Sequence, residues 1–399
     1  MTTQTTPSTG TTRLSGAAWL LALIPVILLG LVLTYLVVTG GGLTELAGPP
    51  IEQVSIQRIT LPEPGIIQVE VINDGPQEVI IPQIQVDDAY FYFTAEPSNT
   101  IPRLGYATFT ISYPWVEEET HIVVLVTSLG ATFEGEIGAA VQTPSPSLSL
   151  FARFGLVGLY VGIVPIALGM LWYPFMRRLD ARAIIFILSL TVGLLVYLAI
   201  GTWLDANEFA SELPAFWQGI PMVIFIALVS LGILLVVGSL RKGPETAPLN
   251  IAYRIAMGIG LHNLGEGLAI GASFALGEAA LGTFLILGFT LHNITEGIGI
   301  VAPVIRKNPG LKHFALLALV AGGPAILGTW IGGFAFSPVL ATIFLAVGAG
   351  AILQVVWEVG KLVIRDSSKL GLPAVNWVNL SGLIVGIALM YFTAFLVKF

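Results

Sequence analysis

The sequence predicts an α-helical polytopic membrane protein with an all-β domain inserted into it. Three observations predict this fold class. Hydrophobic residues make up 55% of the 399-residue chain and charged residues only 10%, whereas soluble domains carry about 25% charged residues. Long apolar runs recur along the chain, each long enough to cross a bilayer. Between residues 50 and 145 these runs give way to short stretches typical of β-strands.

The chain begins with a polar segment and one apolar run. Residues 1–16 are rich in Thr and Ser and carry one charge, Arg13, so they predict a disordered cytoplasmic tail. Residues 17–39 form an apolar run longer than the roughly 7–15-residue core of a cleaved signal peptide. Because no small-residue cleavage site follows this run, we expect a membrane anchor.

Residues 50–145 predict a β-sandwich. Seven runs rich in Val, Ile, Thr and aromatic residues are separated by turn signals such as PEPG, NDG and EPSN. The runs are VSIQRITL, GIIQVEVI, QEVIIPQI, AYFYF, YATFTISY, HIVVLVTS and TFEGEI. They favour an immunoglobulin-like or cupredoxin-like sandwich. A blue-copper site is excluded, because the segment has one histidine, His121, and neither Cys nor Met. We expect a binding, spacing or dimer-forming module whose acidic turns, VDD and VEEET, are solvated.

Apolar runs over residues 150–399 predict a bundle of membrane spans. With the anchor they make nine spans, the other eight lying near residues 150–175, 182–203, 215–240, 249–275, 279–304, 311–334, 338–361 and 375–397. The chain has no cysteine, so disulfides and thiolate metal sites are excluded.

Basic residues orient these spans. With the N-terminus inside, 13 of the 17 basic residues fall on the cytoplasmic side, in agreement with the positive-inside rule. They are Arg13, Arg177, Arg178, Arg182, Arg241, Lys242, Arg254, Arg306, Lys307, Lys312, Lys361, Arg365 and Lys369. This pattern predicts the cytoplasmic membrane, with the β-domain and the C-terminus outside. The stretch LDANEFASE, with Asp205, Glu208 and Glu212, is interpreted as a solvated outer loop that can also attract cations.

A polar motif, L-H-N-x-x-E-G, occurs twice in these apolar runs, starting at Leu261 and again 30 residues later at Leu291. The His and Glu of each copy are four residues apart, so they share one face of a helix. The pairs are His262 with Glu266 and His292 with Glu296, and Asn263 and Asn293 lie one step round the helix. Glycines near the motifs allow close helix approach, among them the GxxxG pair Gly267 and Gly271.

Ionisable groups at the bilayer centre cost roughly 2.5–3.5 kcal/mol each, so the motifs need a compensating interaction. A bound cation supplies one, and partial protonation with mutual hydrogen bonding supplies another. Two facing helices would bring together imidazoles, carboxylates and amide oxygens, which suit Zn²⁺, Fe²⁺, Mn²⁺ or Co²⁺ and not Cu(I). The repetition of the motif favours the metal site over a packing role.

The motifs resemble those of the ZIP family of divalent metal transporters. In that family the fourth of eight spans carries H-N-x-P-E/D-G, and the fifth carries H/Q-E/N-x-P-x-E. Here HNLGEG and HNITEG fall on the corresponding spans, and GAGAILQVVWE resembles the glycine-rich run of the seventh. The resemblance covers residues 150–399, excludes the anchor and the β-domain, and implies a ZIP-like eight-helix bundle.

The resemblance also implies which residues line a binuclear transport site. They are His262, Asn263, Glu266, His292, Asn293 and Glu296, with Glu266 and Glu296 bridging two metals. Glu358 would be an exit-path ligand, and a pair with Lys361 one turn on is an equal alternative. The implied substrate is a divalent metal, Zn²⁺ first, then Fe²⁺, Mn²⁺ or Co²⁺, and no organic cofactor is expected.

The sequence departs from the family pattern at three places. Gly265 and Thr295 stand where the family has its motif proline, and Gly323 stands where some members have an acidic ligand. The loop RKGPETAPLN has no histidine, which argues against a metal-sensing loop.

These observations predict a transporter of divalent metals, not an enzyme. The alternative is a non-transporting membrane receptor or sensor with a structural metal and a ligand-binding outer domain. A di-metal enzyme is disfavoured, because the ligands follow H-x-x-x-E and not the E-x-x-H of di-iron bundles. The net charge of −7 argues against a nucleic-acid partner. The expected partners are metal ions and membrane lipids, and a homodimer is among the assemblies that the sequence allows.

Overall fold

The computed structural model describes residues 16–39, 51–211, 213–240, 248–275 and 279–397. The predicted tail before Gly16 lies outside these ranges, as do Glu212, Arg241 and Lys242. The chain divides into two compact units, residues 1–51 and 52–399. In the first unit a helix, α1, occupies Gly16–Thr39, where the anchor was predicted.

In the second unit, helices occupy the region predicted to hold eight spans. They are α2 (Leu148–Gly158), α3 (Val164–Met170), α4 (Tyr173–Met176), α5 (Ala181–Ser211), α6 (Gly219–Leu240), α7 (Pro248–Ala275), α8 (Ala279–Val301), α9 (Leu311–Ala335), α10 (Pro338–Lys369) and α11 (Trp377–Val397). A π-helical turn over Leu159–Ile163 joins α2 to α3.

Seven helical segments of the described chain are long and apolar enough to cross a membrane. They are Leu148–Met176, Ala181–Ser211, Gly219–Gly238, Leu281–Val304, Leu311–Ala335, Pro338–Lys369 and Trp377–Phe395. Helix α7 is 28 residues long, or roughly 40 Å at 1.5 Å per residue. It is not one of the seven, because its polar motif makes it less apolar. The structure therefore confirms a multi-span helical protein, and the count of nine stays a prediction.

The prediction of an outer loop at LDANEFASE is wrong, because most of this stretch is helical. Helix α5 continues to Ser211, so Asp205 and Glu208 lie on its last turns and not in a loop. The stretch has no Gly or Pro to end the helix, and its Ala, Glu and Leu residues favour a helix.

Close contacts at glycines pair each motif helix with a different neighbour. On α7, a side chain at Gly267 or Gly271 would strike the backbone of α9, and one at Gly328 of α9 would strike the backbone of α7. Helices α3 and α8 meet in the same way at Gly169 and Gly297. The predicted close approach at Gly267 and Gly271 is confirmed, and α9 is the helix approached.

Ten strands form the β-domain. They are β1 (Val54–Thr60), β2 (Ile66–Asn73), β3 (Val79–Ile80), β4 (Gln83–Val86), β5 (Ala89–Phe91), β6 (Phe93–Glu96), β7 (Thr100–Ile101), β8 (Tyr106–Ser112), β9 (His121–Val126) and β10 (Thr132–Ile137). Every predicted run forms a strand, and two runs are each split into two strands. The two-residue strand β7 was not predicted, because it is too short to show alternation.

Two four-stranded antiparallel sheets share one apolar core. Their strand orders are β1-β2-β8-β6 and β10-β9-β4-β5, and β3 pairs with β7 separately. Alternate residues of β2 and β8 point into the core, as strand geometry dictates, and Phe109 and Ile111 are fully buried. An all-β domain is therefore confirmed, and the immunoglobulin-like or cupredoxin-like type stays a prediction.

A polar cluster around Asp87 joins β4, β8 and β9. The Asp87 carboxylate accepts hydrogen bonds from the Tyr113 hydroxyl at 2.6 Å and the Ile122 N–H at 2.9 Å, and it lies 2.7 Å from Nδ1 of the buried His121. Burial acts to raise the pKa of Asp87, but these hydrogen bonds outweigh it and hold the pKa below its ordinary value. The same carboxylate raises the pKa of Tyr113 to about 12. The VDD turn is thus a structural element and more than a solvated turn.

We predict that Asp87→Asn loosens the β-domain and that the loss depends on pH. Because the folded-state pKa of Asp87 is lowered, its contribution is present above the ordinary value of 3.8 and disappears as the pH falls through the lowered pKa. Hydrogen exchange of the β9 amides at pH 7 should quicken several-fold in the variant. The control is Asp88→Asn, at the neighbouring exposed residue that also has a positive φ. Equal exchange in the two variants would contradict the assigned role.

Candidate metal centre

Both copies of the polar motif lie on continuous helices. His262, Asn263 and Glu266 are on α7, and His292 and Glu296 are on α8. The four-residue spacing places each His above its Glu on one helix face, as predicted.

The Glu266 carboxylate lies between the imidazoles of two helices. Its Oε1 atom is 2.8 Å from Nε2 of His262 and 2.6 Å from Nε2 of His292. All three residues are buried, and potential ligand atoms from each lie within 4.8 Å of one another. The predicted convergence of α7 and α8 thus brings these three side chains into a group that can hold a metal ion.

Glu296 is buried beside this group without a hydrogen-bond partner. It is 4% exposed, and neither of its carboxylate oxygens has a hydrogen bond among the described residues. The Oδ1 atoms of Asn263 and Asn293 also lack partners there. Buried oxygens without partners are costly, so this arrangement favours a ligand that the oxygens can contact.

The motif asparagines are fixed by their amide nitrogens. Asn293 Nδ2 donates to the Val161 carbonyl at 2.9 Å, and Asn263 Nδ2 donates to the Ala321 carbonyl at 3.0 Å. Pro165 has no N–H to offer the Val161 carbonyl four residues earlier, so the asparagine takes the place of the missing donor. With the nitrogens bonded to carbonyls, the Oδ1 atoms keep no hydrogen-bond partner among the described residues.

The sequence analysis did not predict these hydrogen bonds from the asparagines to the carbonyls of distant helices. The signal was present as Pro165, a proline inside an apolar helical segment. Nothing in a single sequence links a proline to an asparagine more than 50 residues away.

Thr202 on α5 is a second residue that the sequence did not reveal. Its Oγ1 atom lies 3.3 Å from Nδ1 of His262, and both side chains are buried. When His262 Nε2 donates to the Glu266 carboxylate, Nδ1 of the neutral imidazole accepts from the Thr202 hydroxyl. When Nε2 instead binds a cation, Nδ1 carries the proton and donates to Thr202, so the threonine can support this imidazole in both states.

The absent motif prolines have a structural consequence. Helices α7 and α8 run unbroken through Gly265 and Thr295. The Thr295 hydroxyl donates to the His292 carbonyl at 2.6 Å, so that carbonyl is occupied locally. A kink that frees a backbone carbonyl for a ligand is not formed at either motif.

Glu358 lies outside the central group. Its Oε2 atom is 3.4 Å from Arg254 Nη2, and its Oε1 atom is 3.3 Å from Lys361 Nζ. The pair with Lys361 that the sequence suggested is present, and Arg254 adds a second, less exposed partner on α7. His313, near the start of α9, bonds to the Tyr253 hydroxyl at 3.0 Å and takes no part in the centre.

A cavity of about 730 Å³ reaches the centre from one side. His262 and Glu266 line it, as do Asp205 and Glu208 of α5. On α7 the other lining residues, Ala269, Ala272 and Ser273, follow Glu266 in sequence, whereas residues that precede His262, such as Ile255 and Ile259, belong to a buried apolar cluster. The centre is therefore open on one side and covered by apolar side chains on the other.

Fold and centre together define a multi-span membrane protein with an intramembrane His and carboxylate group of the kind that binds metal ions. Residues 241–394 match the model of the ZIP zinc transporter family. The match confirms the resemblance carried by the two motifs, and the matched family implies metal ion transport. The match begins after α6, and the earlier helices and the β-domain lie outside it. A comparison with curated proteins gives no match.

We predict that Asn293→Leu destabilises the helix bundle by about 1–3 kcal/mol, because it leaves the Val161 carbonyl buried without a donor. Adding Pro165→Ala should recover part of the loss, since alanine supplies a backbone N–H. The measurement is thermal unfolding of the purified protein in detergent.

The control for this experiment is Asn207→Leu. Asn207 Nδ2 donates to the Trp203 carbonyl within its own helix, and that carbonyl keeps its backbone partner when the side chain is removed. Equal melting temperatures for the two leucine variants would contradict the role given to Asn293.

Proposed function

We propose that the protein carries divalent metal cations across the cytoplasmic membrane through the centre on α7 and α8. The ligands would be His262, Asn263, Glu266, His292, Asn293 and Glu296. Imidazole nitrogens with carboxylate and amide oxygens suit a borderline cation, so Zn²⁺ is the first candidate, followed by Fe²⁺, Mn²⁺ and Co²⁺.

The observation that carries this proposal is the pair of buried carboxylates. Glu266 and Glu296 are 3% and 4% exposed, and only Glu266 has hydrogen-bond partners among the described residues. A divalent cation between them would balance two negative charges that the bilayer interior otherwise penalises. The oxygens of Glu296 and of the two asparagines would then serve as ligands in place of water.

Release of the cation requires a change in ligand geometry. The ligands come from two closely packed helix pairs, α7 with α9 and α8 with α3, each held at glycine contacts. Movement of one pair against the other would separate the α7 ligands from the α8 ligands. This is the usual logic of a midplane site reached alternately from the two sides.

The open and covered sides give a direction to this movement. We place the cavity on the outer side with the β-domain, as the distribution of basic residues predicts, and the apolar cluster on the cytoplasmic side. Release of the cation to the cytoplasm then requires the side chains of the apolar cluster to move apart. Glu358 with Arg254 and Lys361 would lie on the exit path, where a passing cation competes with the two bases for the carboxylate. Protons compete with metal for the central carboxylates in the same way and can aid release.

The test is metal flux into proteoliposomes that contain a metal-sensitive dye. Wild type should take up Zn²⁺ with saturation, and parallel assays with Fe²⁺, Mn²⁺ and Co²⁺ rank the substrates. We expect Glu266→Gln to lower the flux at least 100-fold, or roughly 3 kcal/mol at 1.4 kcal/mol per factor of ten. The amide keeps the shape of the carboxylate but removes the charge that two imidazoles and the cation share.

The matched control is Asp366→Asn on α10, which removes one carboxylate that pairs with Lys369 and Arg365 away from the centre. Its flux should stay within twofold of wild type. Metal binding without flux in wild type would contradict the proposed transport function and favour a receptor or sensor with a structural metal. Equal flux in Glu266→Gln and wild type would show that the metal does not pass through this centre.

A further inference from the structure

The cavity that reaches the centre is bounded by two parts of the chain. Its deep end is lined by His262 and Glu266. Its other end is lined by β1 and β10, including Arg58, Glu134 and Glu136. The space above the centre therefore lies between the helix bundle and the β-domain.

The sheet topology explains why these two strands line the cavity. β1 is an edge strand of one sheet and β10 is an edge strand of the other. The Gly135 backbone of β10 approaches Ile56 and Ile59 of β1 so closely that a side chain there would strike them. The two edges thus form one surface, and the β-domain turns this surface toward the cavity.

The cavity is strongly acidic. Its charged lining consists of the carboxylates of Glu134, Glu136, Asp205, Glu208 and Glu266 and the guanidinium of Arg58. Two of the five carboxylates come from the β-domain. A cleft lined by one sign of charge raises the local concentration of counter-ions and speeds their capture.

We propose that the β-domain is the outer wall of the path by which divalent cations reach the centre, and that Glu134 and Glu136 of β10 raise the capture rate of those cations. This inference rests on the proposed function. It gives the inserted domain a part in transport itself, since every cation that uses this cavity passes its edge strands. The two glutamates act by charge at a distance and are not ligands of the central site.

The first test compares charge-removing variants in the flux assay at low ionic strength. The double variant Glu134→Gln, Glu136→Gln should raise KM for Zn²⁺ roughly threefold or more and leave the maximal rate unchanged. The increase should shrink in about 0.5 M salt, where screening acts over a few ångströms. The control is Glu63→Gln, Glu78→Gln, which removes the same charge at exposed residues of the β-domain that do not line the cavity. Equal KM values in the two double variants would overturn the proposal.

The second test does not need transport. The chain has no native cysteine, so Ala269→Cys places a single thiol on the cavity wall one turn beyond Glu266. Membrane-impermeant methanethiosulfonates should label this thiol faster when the reagent is cationic than when it is anionic. The Glu134→Gln, Glu136→Gln background should lower the ratio of the two rates, and the Glu63→Gln, Glu78→Gln background should not.

The two tests separate the possible failures. If the labelling ratio depends on charge but the protein shows no flux, the acidic cavity is supported and the proposed transport function is rejected. A ratio that is the same in both double variants would show that the β-domain edge does not influence access to the centre. That result would reject the present inference even if wild type transports zinc.

Discussion

The contact of one buried carboxylate with two imidazoles from different helices is the interaction on which the centre depends. Glu266 of α7 lies within 3 Å of His262 on its own helix and His292 on α8. A carboxylate in the bilayer interior is tolerated only with partners, so α7 and α8 must present these polar faces to each other. The contact therefore fixes both the rotation of the two helices and the place where a cation can be held.

The surrounding structure keeps this pair of helices in register. Glycines at close approaches hold α7 against α9 and α8 against α3, while Asn263 and Asn293 bond to carbonyls of α9 and the π-helical turn. In both asparagines the Oδ1 atom has no hydrogen-bond partner among the described residues. Each motif helix thus has its own set of fixed contacts, and the Glu266 group lies at the boundary between the two sets.

Much of this arrangement could be predicted from the sequence, because strong local patterns carry it. The doubled motif, the apolar runs and the alternation in residues 50–145 act over a few turns or strands, and the corresponding helices, strands and the Glu266 group are present. The support from Thr202, Pro165 and Arg254 could not be predicted, because it depends on which distant helices are neighbours. The extension of α5 was not predicted for another reason, because the polar residues of LDANEFASE favour a loop by their charge although their helix propensity is good.

The most direct test of the centre is zinc K-edge X-ray absorption of the purified, zinc-loaded protein. We expect a first shell of nitrogen and oxygen near 2.0–2.1 Å, with outer-shell scattering from about two imidazoles. Because the chain has four histidines, His262→Ala with His292→Ala should abolish the imidazole signal, and His121→Ala with His313→Ala should leave it unchanged. A zinc spectrum without imidazole scattering, or one that survives the loss of His262 and His292, would contradict a metal centre built around Glu266.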